Sequence, residues 1–540
     1  MLSWKALKNY LPLILIILLA SILRLFMLGD VPISMSDDEI RAVYSSYSIA
    51  HTGRDAFGNF LPVVIKLDGS NTFGQVPIYL SSLFFLFLDL NPFTARLPYA
   101  LAGILSIVFF YFIVKKIFND GIAIASSFVF AVSVWHIQLS RFAIETDTTL
   151  LLYLIGIHIF LYAQNKTIPI LVSMFSFFLA FYSYSAMKVT FLPLLLILTW
   201  YKYKELSKKH LLIILSTIIL AFGSFGLLSI TQNASSYSGA GGNFFFFQDK
   251  EKTALVVELE RRGSQEPEFV KSFYHNKFTY WIRMFSSNYL AAFSPGYLFL
   301  NQEGSGIYSI WERGVLYLFE LPLLIIGFIY LFLKKRKEFF FVLFLLLIAP
   351  LPSALGVGAP TWTSRSAFMI FGLYIFIGAG IYSMLTLFKK QQYRYFIFLA
   401  FVFLYLYSVS GYLFQYYYDW SSTNAKYFSK STQDLVYFIN KSKRKDIVVS
   451  GATVNTFFHY AFYNKIDPAI THKIINNSQI KYENVVFIQI CFIDTDEDPY
   501  KSISQNQIYI AISSCKYKAK PKTQIRVHNG EEIIWNIFEK

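Results

Sequence analysis

Apolar residues along this chain neither alternate nor keep to one narrow helical stripe. They recur in uninterrupted runs of about twenty through the first 410 positions. A helix of that length, at about 1.5 Å per residue, spans the ~30 Å hydrocarbon core of a bilayer. Runs of this kind exclude a β-barrel, whose strands would alternate apolar and polar positions. Eleven spans are predicted, near 9–28, 97–114, 121–140, 147–163, 168–186, 189–200, 211–230, 314–333, 338–352, 366–388 and 395–412. Residues 76–88 are also apolar, but thirteen residues are short for a span, so they are expected to form an interfacial or re-entrant helix that starts at Pro77. The first span resembles the apolar region of a signal peptide but has no small-residue cleavage site after it, and is expected to be retained.

Composition agrees with the pattern. Of 540 residues, 55% are hydrophobic and only 15% charged, against roughly 25% charged in a soluble domain. An ordinary cytosolic enzyme, a disordered chain and a collagen-like fibre are excluded. The net charge of +15 would suit nucleic acid, but its distribution gives another cause. With the N-terminus in the cytoplasm, the N-terminal stub and the five short inner loops hold sixteen Lys and Arg, including Lys334-Lys335-Arg336-Lys337. The three short outer loops hold three: Arg141, Lys188 and Arg365. Sixteen against three is a strong positive-inside signal. The surplus orients the chain in a cell membrane, and nucleic acid is not expected as a partner.

Three outer segments exceed simple connections: 29–96, 231–313 and 413–540. The last carries 28 charged residues in 128 and reads as a separate extracytoplasmic domain. Runs at Asp446–Ser450, Asn484–Ile490, Gln507–Ile512 and Glu532–Ile537 have the character of strands between polar turns, so a small α/β domain is expected. Its two cysteines, Cys491 and Cys515, either pair or sit unpaired in the core. Asp494, Asp496 and Asp498 are spaced like the start of a calcium loop but lack the required Gly, so a solvated turn is expected. Gly239–Gly242 and the Phe244–Phe247 run suggest a mobile loop with a membrane-dipping tip.

The informative polar stretch is Ser36-Asp37-Asp38-Glu39-Ile40-Arg41, just outside the first span. Three acids and an Arg beside a membrane must be solvated or paired. They either cap the next helix or form part of a site. A second cluster, Arg141 to Asp147, lies at the outer end of the third span, and Arg141 and Glu145 are spaced i, i+4, so a helix would pair them. Arg96, Lys188 and Arg365 add cations at the same depth, where each is also a potential snorkelling anchor. Together these groups suit a reaction in which a carboxylate takes a proton from an acceptor while cations hold a phosphate leaving group. Glu320, near the outer end of the eighth span, is either functional or a partner of that helix's first turn.

Several ordered elements give this chain a wider resemblance. They are Asp38-Glu39-Ile40-Arg41; Thr52-Gly53-Arg54-Asp55 with Phe57-Gly58 and Pro62; Arg96-Leu97-Pro98; Trp135-His136-Ile137 running into Ser140-Arg141 and Glu145; and Phe293-Ser294-Pro295, followed by Glu320-Leu321-Pro322. Across residues 10–390 the chain resembles glycosyltransferase family 39, within the type-C (GT-C) superfamily that includes protein O-mannosyltransferases and aminoarabinose transferases. The resemblance implies a polyprenyl-phosphate sugar donor, an acceptor outside the cytoplasmic membrane, and inversion at the anomeric carbon. It implies Asp38 as catalytic base with Glu39 beside it, Arg41 and Lys188 on the donor phosphate, and Glu145 as a second acid. Some relatives carry an acid, Lys or His just before the proline of the short helix; here Gln75-Val76 precede Pro77. No cofactor is implied with certainty, and a divalent metal is only compatible with the pattern.

The expected architecture is an all-α polytopic GT-C domain over 1–412 with about eleven transmembrane helices, followed by the α/β domain over 413–540. The expected site comprises Asp38, Glu39 and Glu145 as catalytic acids, with Arg41, Arg96, Arg141, Lys188, Arg365 and Glu320 around the substrate. The acceptor is a protein, lipid or glycan. A transporter or lipid flippase is the rival reading; it would place ionisable groups at mid-bilayer on broken helices, often within inverted repeats, and no repeat is visible here. A cytoplasm-dependent reporter fused after Lys540 is expected to stay silent; a strong signal would overturn the topology.

Overall fold

The computed structural model describes residues 4–66, 72–231, 245–301, 307–308, 310, 313–357, 363–442, 445–477, 479–493 and 497–540. Each predicted span carries a helix. In order these are α1 (Trp4–Leu25), α4 (Pro92–Ile117), α5 (Asp120–Val132) continued by α6 (Val134–Leu139), α7 (Glu145–Tyr162), α8 (Thr167–Phe181), α9 (Lys188–Lys202), α10 (Lys208–Thr231), α11 (Glu320–Lys334), α12 (Arg336–Ile348), α13 (Met369–Leu387) and α14 (Gln391–Phe414). Two more precede α4: α2 (Asp37–Thr52), and α3 (Gln75–Phe85), the expected short helix with Pro77 in its first turn. Among the described residues, five helical segments are long and apolar enough to cross a membrane: Pro92–Ile117, Lys208–Ile230, Arg336–Leu355, Met369–Leu387 and Gln391–Thr423.

The third span breaks where the sequence predicts continuity. Ser133 ends α5 and starts α6, its side chain accepting from the His136 N–H. A break inside a bilayer leaves carbonyls that lipid cannot satisfy. Buried Arg24 covers two of them, at 2.9 Å from the Ala131 oxygen and 3.4 Å from that of Phe130. The Tyr317 hydroxyl covers Val132 at 2.9 Å. The expected start of the eighth span also moves: 314–319 are not helical, and Glu320 is the first residue of α11.

Bundle packing relies on small residues, as expected where lipid competes on equal terms for apolar surface. A methyl group on Gly327 would lie 1.8 Å from the Phe376 carbonyl oxygen, and one on Gly380 would lie 2.1 Å from that of Leu323. The backbones of α11 and α13 therefore touch.

The C-terminal region holds a six-stranded sheet in the order β4-β5-β3-β6-β8-β7; a two-residue hairpin, β1 (Ile65–Lys66) with β2 (Thr72–Phe73), precedes α3. Central β3 (Asp446–Ser450) runs parallel to β5 (Val485–Ile488) and β6 (Gln507–Ile512). The pairs of β4 (Gln479–Tyr482) with β5, β8 (Ile533–Glu539) with β6, and β7 (Thr523–Arg526) with β8 are antiparallel. The four expected runs are β3, β5, β6 and β8. The two missed strands are the sheet's edges, where polar residues weaken the apolar signal. Cys491 and Cys515 form a disulfide, Cα to Cα 5.8 Å.

The boundary expected at 412/413 falls inside the last turns of α14, and the helical segment continues through Thr423. Nor does the sheet domain keep its core to itself. Met35, Ile40, Val43 and Tyr44 of the α2 region share one apolar cluster with Val436, Phe457, Phe458 and Ile510. Gly239–Gly242 and Phe244 lie outside the described residues. Phe246 is buried, whereas Phe247 is exposed with one edge near Trp281. Asp494 and Asp496 also lie outside the described residues; Asp498 caps the short helix Pro499–Ser502.

The contact between α11 and α13 sets a test. Gly327→Ala should cost about 1–3 kcal/mol through overpacking, read as a lower melting temperature in detergent. Gly223→Ala, where a methyl group meets nothing within 4 Å, should be close to neutral.

Candidate active site

The site begins at the N-terminus of α2. Ser36 is its cap, in a reciprocal box with Glu39. Successive helical side chains diverge by about 100°, so the three adjacent acids go three ways. Glu39 points inward. Its Oε1 accepts from Arg96 Nε at 2.9 Å and from the Ala143 N–H at 3.0 Å, and its Oε2 accepts from the Ser36 N–H at 3.0 Å. Both side chains of this ion pair are essentially inaccessible. Asp37 turns to the C-terminal region, accepting from Ser429 Oγ at 2.6 Å and Asn455 Nδ2 at 3.0 Å, with His459 Nε2 at 3.0 Å. Burial works to raise the Asp37 carboxyl, but the hydrogen bond and charge of His459, with those of Ser429 and Asn455, hold it well below the usual carboxylate range. Asp38 keeps the most open carboxylate of the three, 62% exposed, and pairs with Arg41 one turn along.

Glu145, the first residue of α7, accepts from the Gly74 N–H at 3.1 Å. Only a glycine fits there, because a methyl group at 74 would sit 1.6 Å from the Ser183 carbonyl oxygen. The start of α3 therefore abuts both α7 and the 183–188 turn. Asp38 and Lys188 are both within electrostatic reach of Glu145. Lys188 opens α9, with its ammonium 4.8 Å from the Phe225 ring centre and 3.4 Å from Ser185 Oγ. Tyr184 links this group to the 363–366 segment: its hydroxyl lies 3.5 Å from Ser364 Oγ and engages Arg365, and Glu145 is within its electrostatic reach. Arg365 also donates to the Val357 carbonyl at 2.8 Å. Asp38, Arg41, Glu145, Lys188 and Arg365 thus come together from four distant stretches, and Tyr184, which carries no sequence signal, joins them.

Four expected site residues do other work. Arg96 is buried on Glu39 and on the carbonyls of Leu28, Pro32 and Ser34. Arg141 is buried on the carbonyls of Leu23, Arg24, Phe26, Met27 and Val31, and its guanidinium lies over Tyr416 and Tyr417. Their donors staple the 23–34 stretch, which corrects the expectation that these two arginines hold substrate. The i, i+4 pair of Arg141 with Glu145 does not form, because residues 141–144 are a turn and α7 starts only at Glu145. The Glu39 carboxylate is sealed among donors. Glu320 accepts from the Tyr317 N–H at 3.0 Å and Tyr405 hydroxyl at 2.9 Å, which is the first-turn role.

Sequence reasoning missed the contribution of the C-terminal region. Besides the Asp37 contacts, Tyr44 donates to the Ile466 carbonyl at 2.9 Å, and Ser48 lies 2.9 Å from His472 Nε2. Separations above 420 residues leave no local pattern to read. Arg24, His136 and Asp147 form a buried chain, with Arg24 2.8 Å from His136 Nδ1 and His136 Nε2 3.0 Å from Asp147. Among the described residues, no group of three His, Cys, Asp or Glu could hold a metal ion.

Residues 75–226 match the family model described as dolichyl-phosphate-mannose-protein mannosyltransferase; the match takes in Glu145 and Lys188 but begins after Asp38 and Arg41. No curated protein matches the chain. Among solved structures, ArnT from Cupriavidus metallidurans bound to undecaprenyl phosphate is similar at a TM-score of 0.50 and 12% identity, over 97% of each chain. The Archaeoglobus fulgidus oligosaccharyltransferase tethered with an acceptor peptide gives 0.48 and 12%, covering 85% of this chain. AglB from the same organism, in complex with an inhibitory peptide and a dolichol-phosphate, gives 0.48 and 13%, over 94% of this chain and 70% of that one. The chain spans 63% of the length of the peptide-tethered archaeal enzyme. The fold is of the GT-C type, as expected from the sequence.

Two outcomes follow from this geometry. Glu39→Gln strands a buried Arg96 charge and should cost about 3–5 kcal/mol, read as lost folded protein, whereas Asp38→Asn should change stability by less than about 1 kcal/mol. The Asp37 carboxyl is depressed in the folded state, so its contribution is present above the ordinary 3.8 and fades as pH falls below it. The melting-temperature gap between the unaltered protein and Asp37→Asn should therefore be full above about pH 5 and narrow progressively on acidification below about pH 4; no change in the gap over that acid range would refute the assignment.

Proposed function

We propose that this protein is an integral membrane glycosyltransferase that moves a sugar from a polyprenyl-phosphate donor to an acceptor hydroxyl on the outer side of the cytoplasmic membrane. The observation that carries the reading is the Asp38–Arg41 pair. It joins an open carboxylate to a cation at a helix start, within a group that also holds Glu145, Lys188 and Arg365. The mannosyltransferase family match supports the transferase class. The similar enzyme crystallised with undecaprenyl phosphate supports a lipid-phosphate donor. The acceptor is a protein, lipid or glycan carrying a free hydroxyl. Neither comparison favours the transporter reading.

In the proposed reaction Asp38 takes the proton from the acceptor hydroxyl as its oxygen attacks the anomeric carbon. The carbon–oxygen bond to the lipid phosphate breaks on the opposite face, so configuration inverts. Arg41, Lys188 and Arg365 hold the charge that develops on the departing phosphate. Glu145 stands nearby as the second acid. Glu39 holds the α2 start, and so the direction of Asp38, through Arg96. On this reading the C-terminal sheet domain lies on the acceptor side.

The test is purified enzyme incubated with a panel of labelled polyprenyl-phosphate sugars, following release of lipid phosphate. Asp38→Asn should lose at least about a hundredfold in turnover while retaining donor affinity; normal turnover would remove the main support for the reading. Arg41→Ala and Lys188→Ala should each weaken donor use by roughly 1.5–3 kcal/mol. Arg41→Lys should rescue only in part, since a point charge replaces a planar fork. Unchanged donor kinetics in both alanine variants would mean that the phosphate binds elsewhere.

A further inference from the structure

A cavity lies at the other end of the bundle from the candidate active site. The chain passes along α1 from Pro12 toward the Asp38 end, and along α4 from the Arg96 end to the turn before α5. The cavity opens where α1 begins, α5 begins and α13 ends, so it faces away from the candidate active site. It encloses about 1020 Å³ between α1, α5, α13 and α14. It exists because α14 touches the bundle over only part of its length. Its buried side chains are Tyr405 and Tyr412, both in its second half, while Tyr395 and Phe398 in the first half are 61% and 52% exposed.

Its chemistry is graded along its length. The walls are apolar, with Ile16, Ala125, Phe128 and Phe401 among them, and the basic residues Lys389 and Arg394 stand at one end. Both are exposed, Lys389 in the short loop before α14 and Arg394 in that helix's first turn, at the end that the positive-inside count assigns to the inner membrane face. No acidic residue is among those lining the cavity. From Arg394 to Tyr405 is eleven residues of helix, about 16 Å at 1.5 Å per residue, close to the ~15 Å depth of one leaflet's hydrocarbon. An apolar slot one leaflet deep with two cations at the interface matches an anionic diacyl lipid in both length and charge.

We infer that this groove is a binding site for an anionic phospholipid of the inner leaflet, its headgroup phosphate held by Lys389 and Arg394 and its acyl chains lying along α14. It is separate from the proposed donor site, whose cations belong to the opposite end of the bundle. A bound lipid fills the gap under the first half of α14 and so braces the helix that carries Tyr405 to Glu320.

The test is native mass spectrometry of the full-length protein in detergent, titrated with phosphatidylglycerol, phosphatidylcholine or undecaprenyl phosphate. One phosphatidylglycerol should be retained at least about tenfold more readily than phosphatidylcholine. The double variant Lys389→Ala with Arg394→Ala should abolish that preference, and Lys389→Arg with Arg394→Lys should keep it. Ala125→Trp should block retention with both charges intact. All three substituted side chains face the groove or solvent, and melting curves establish that the variants are folded. Equal retention of the two phospholipids, or an unchanged preference in the double alanine variant, overturns the proposal. Stronger retention of undecaprenyl phosphate that is lost in the same variant also overturns it, by making the occupant the carrier lipid.

Discussion

A single buried ion pair fixes the start of α2 against the helical bundle. Glu39 and Arg96 face each other out of reach of solvent, and neither charge would survive there alone. The remaining donors of Arg96 reach carbonyls of the 28–34 loop, and the second oxygen of Glu39 closes the cap on α2. Ala143, just before α7, donates to the same carboxylate. One salt bridge therefore ties the start of α2 to α4, to the turn before α7 and to the loop leaving α1. The direction of Asp38, the residue just before Glu39, follows from it.

The other side of α2 is equally committed. Asp37, Tyr44 and Ser48 reach the C-terminal region through polar contacts, while Ile40, Val43 and Tyr44 enter its apolar core. A helix of sixteen residues with three acids at its start would be marginal alone. Here it is clamped between the bundle and the sheet domain, which leaves Asp38 and Arg41 on the face between. The sheet domain thus helps to set the geometry of the candidate site.

Within the bundle the same physics recurs without ion pairs. Arg24, Arg141 and Tyr317 spend their donors on backbone carbonyls at helix breaks and turns. In a medium without water this is how irregular backbone becomes tolerable. It also explains why arginines near span ends are poor guides to substrate: their donors are consumed by the fold.

Much of the architecture was legible in the sequence because it depends on properties summed along the chain. Run length located eleven helices, Pro77 marked the short one, and strand-like runs found β3, β5, β6 and β8. The Asp38-to-Arg41 stretch was legible because charge beside a membrane is costly. The assignment of individual partners was not. Arg96 and Arg141 look like phosphate ligands when read as isolated cations; only the folded chain brings them to carbonyls and to Glu39. Gly74 and Tyr184 carry no local signal, since what matters is the backbone of Ser183 beside one and Arg365 beside the other. Asp37 meets His459 across more than 400 residues, and the break at Ser133 depends on Arg24 arriving from another helix. Hydrophobicity and net charge are additive, so the sequence alone determined the class of fold. A hydrogen bond needs one donor at one acceptor, and that pairing only the tertiary structure decided.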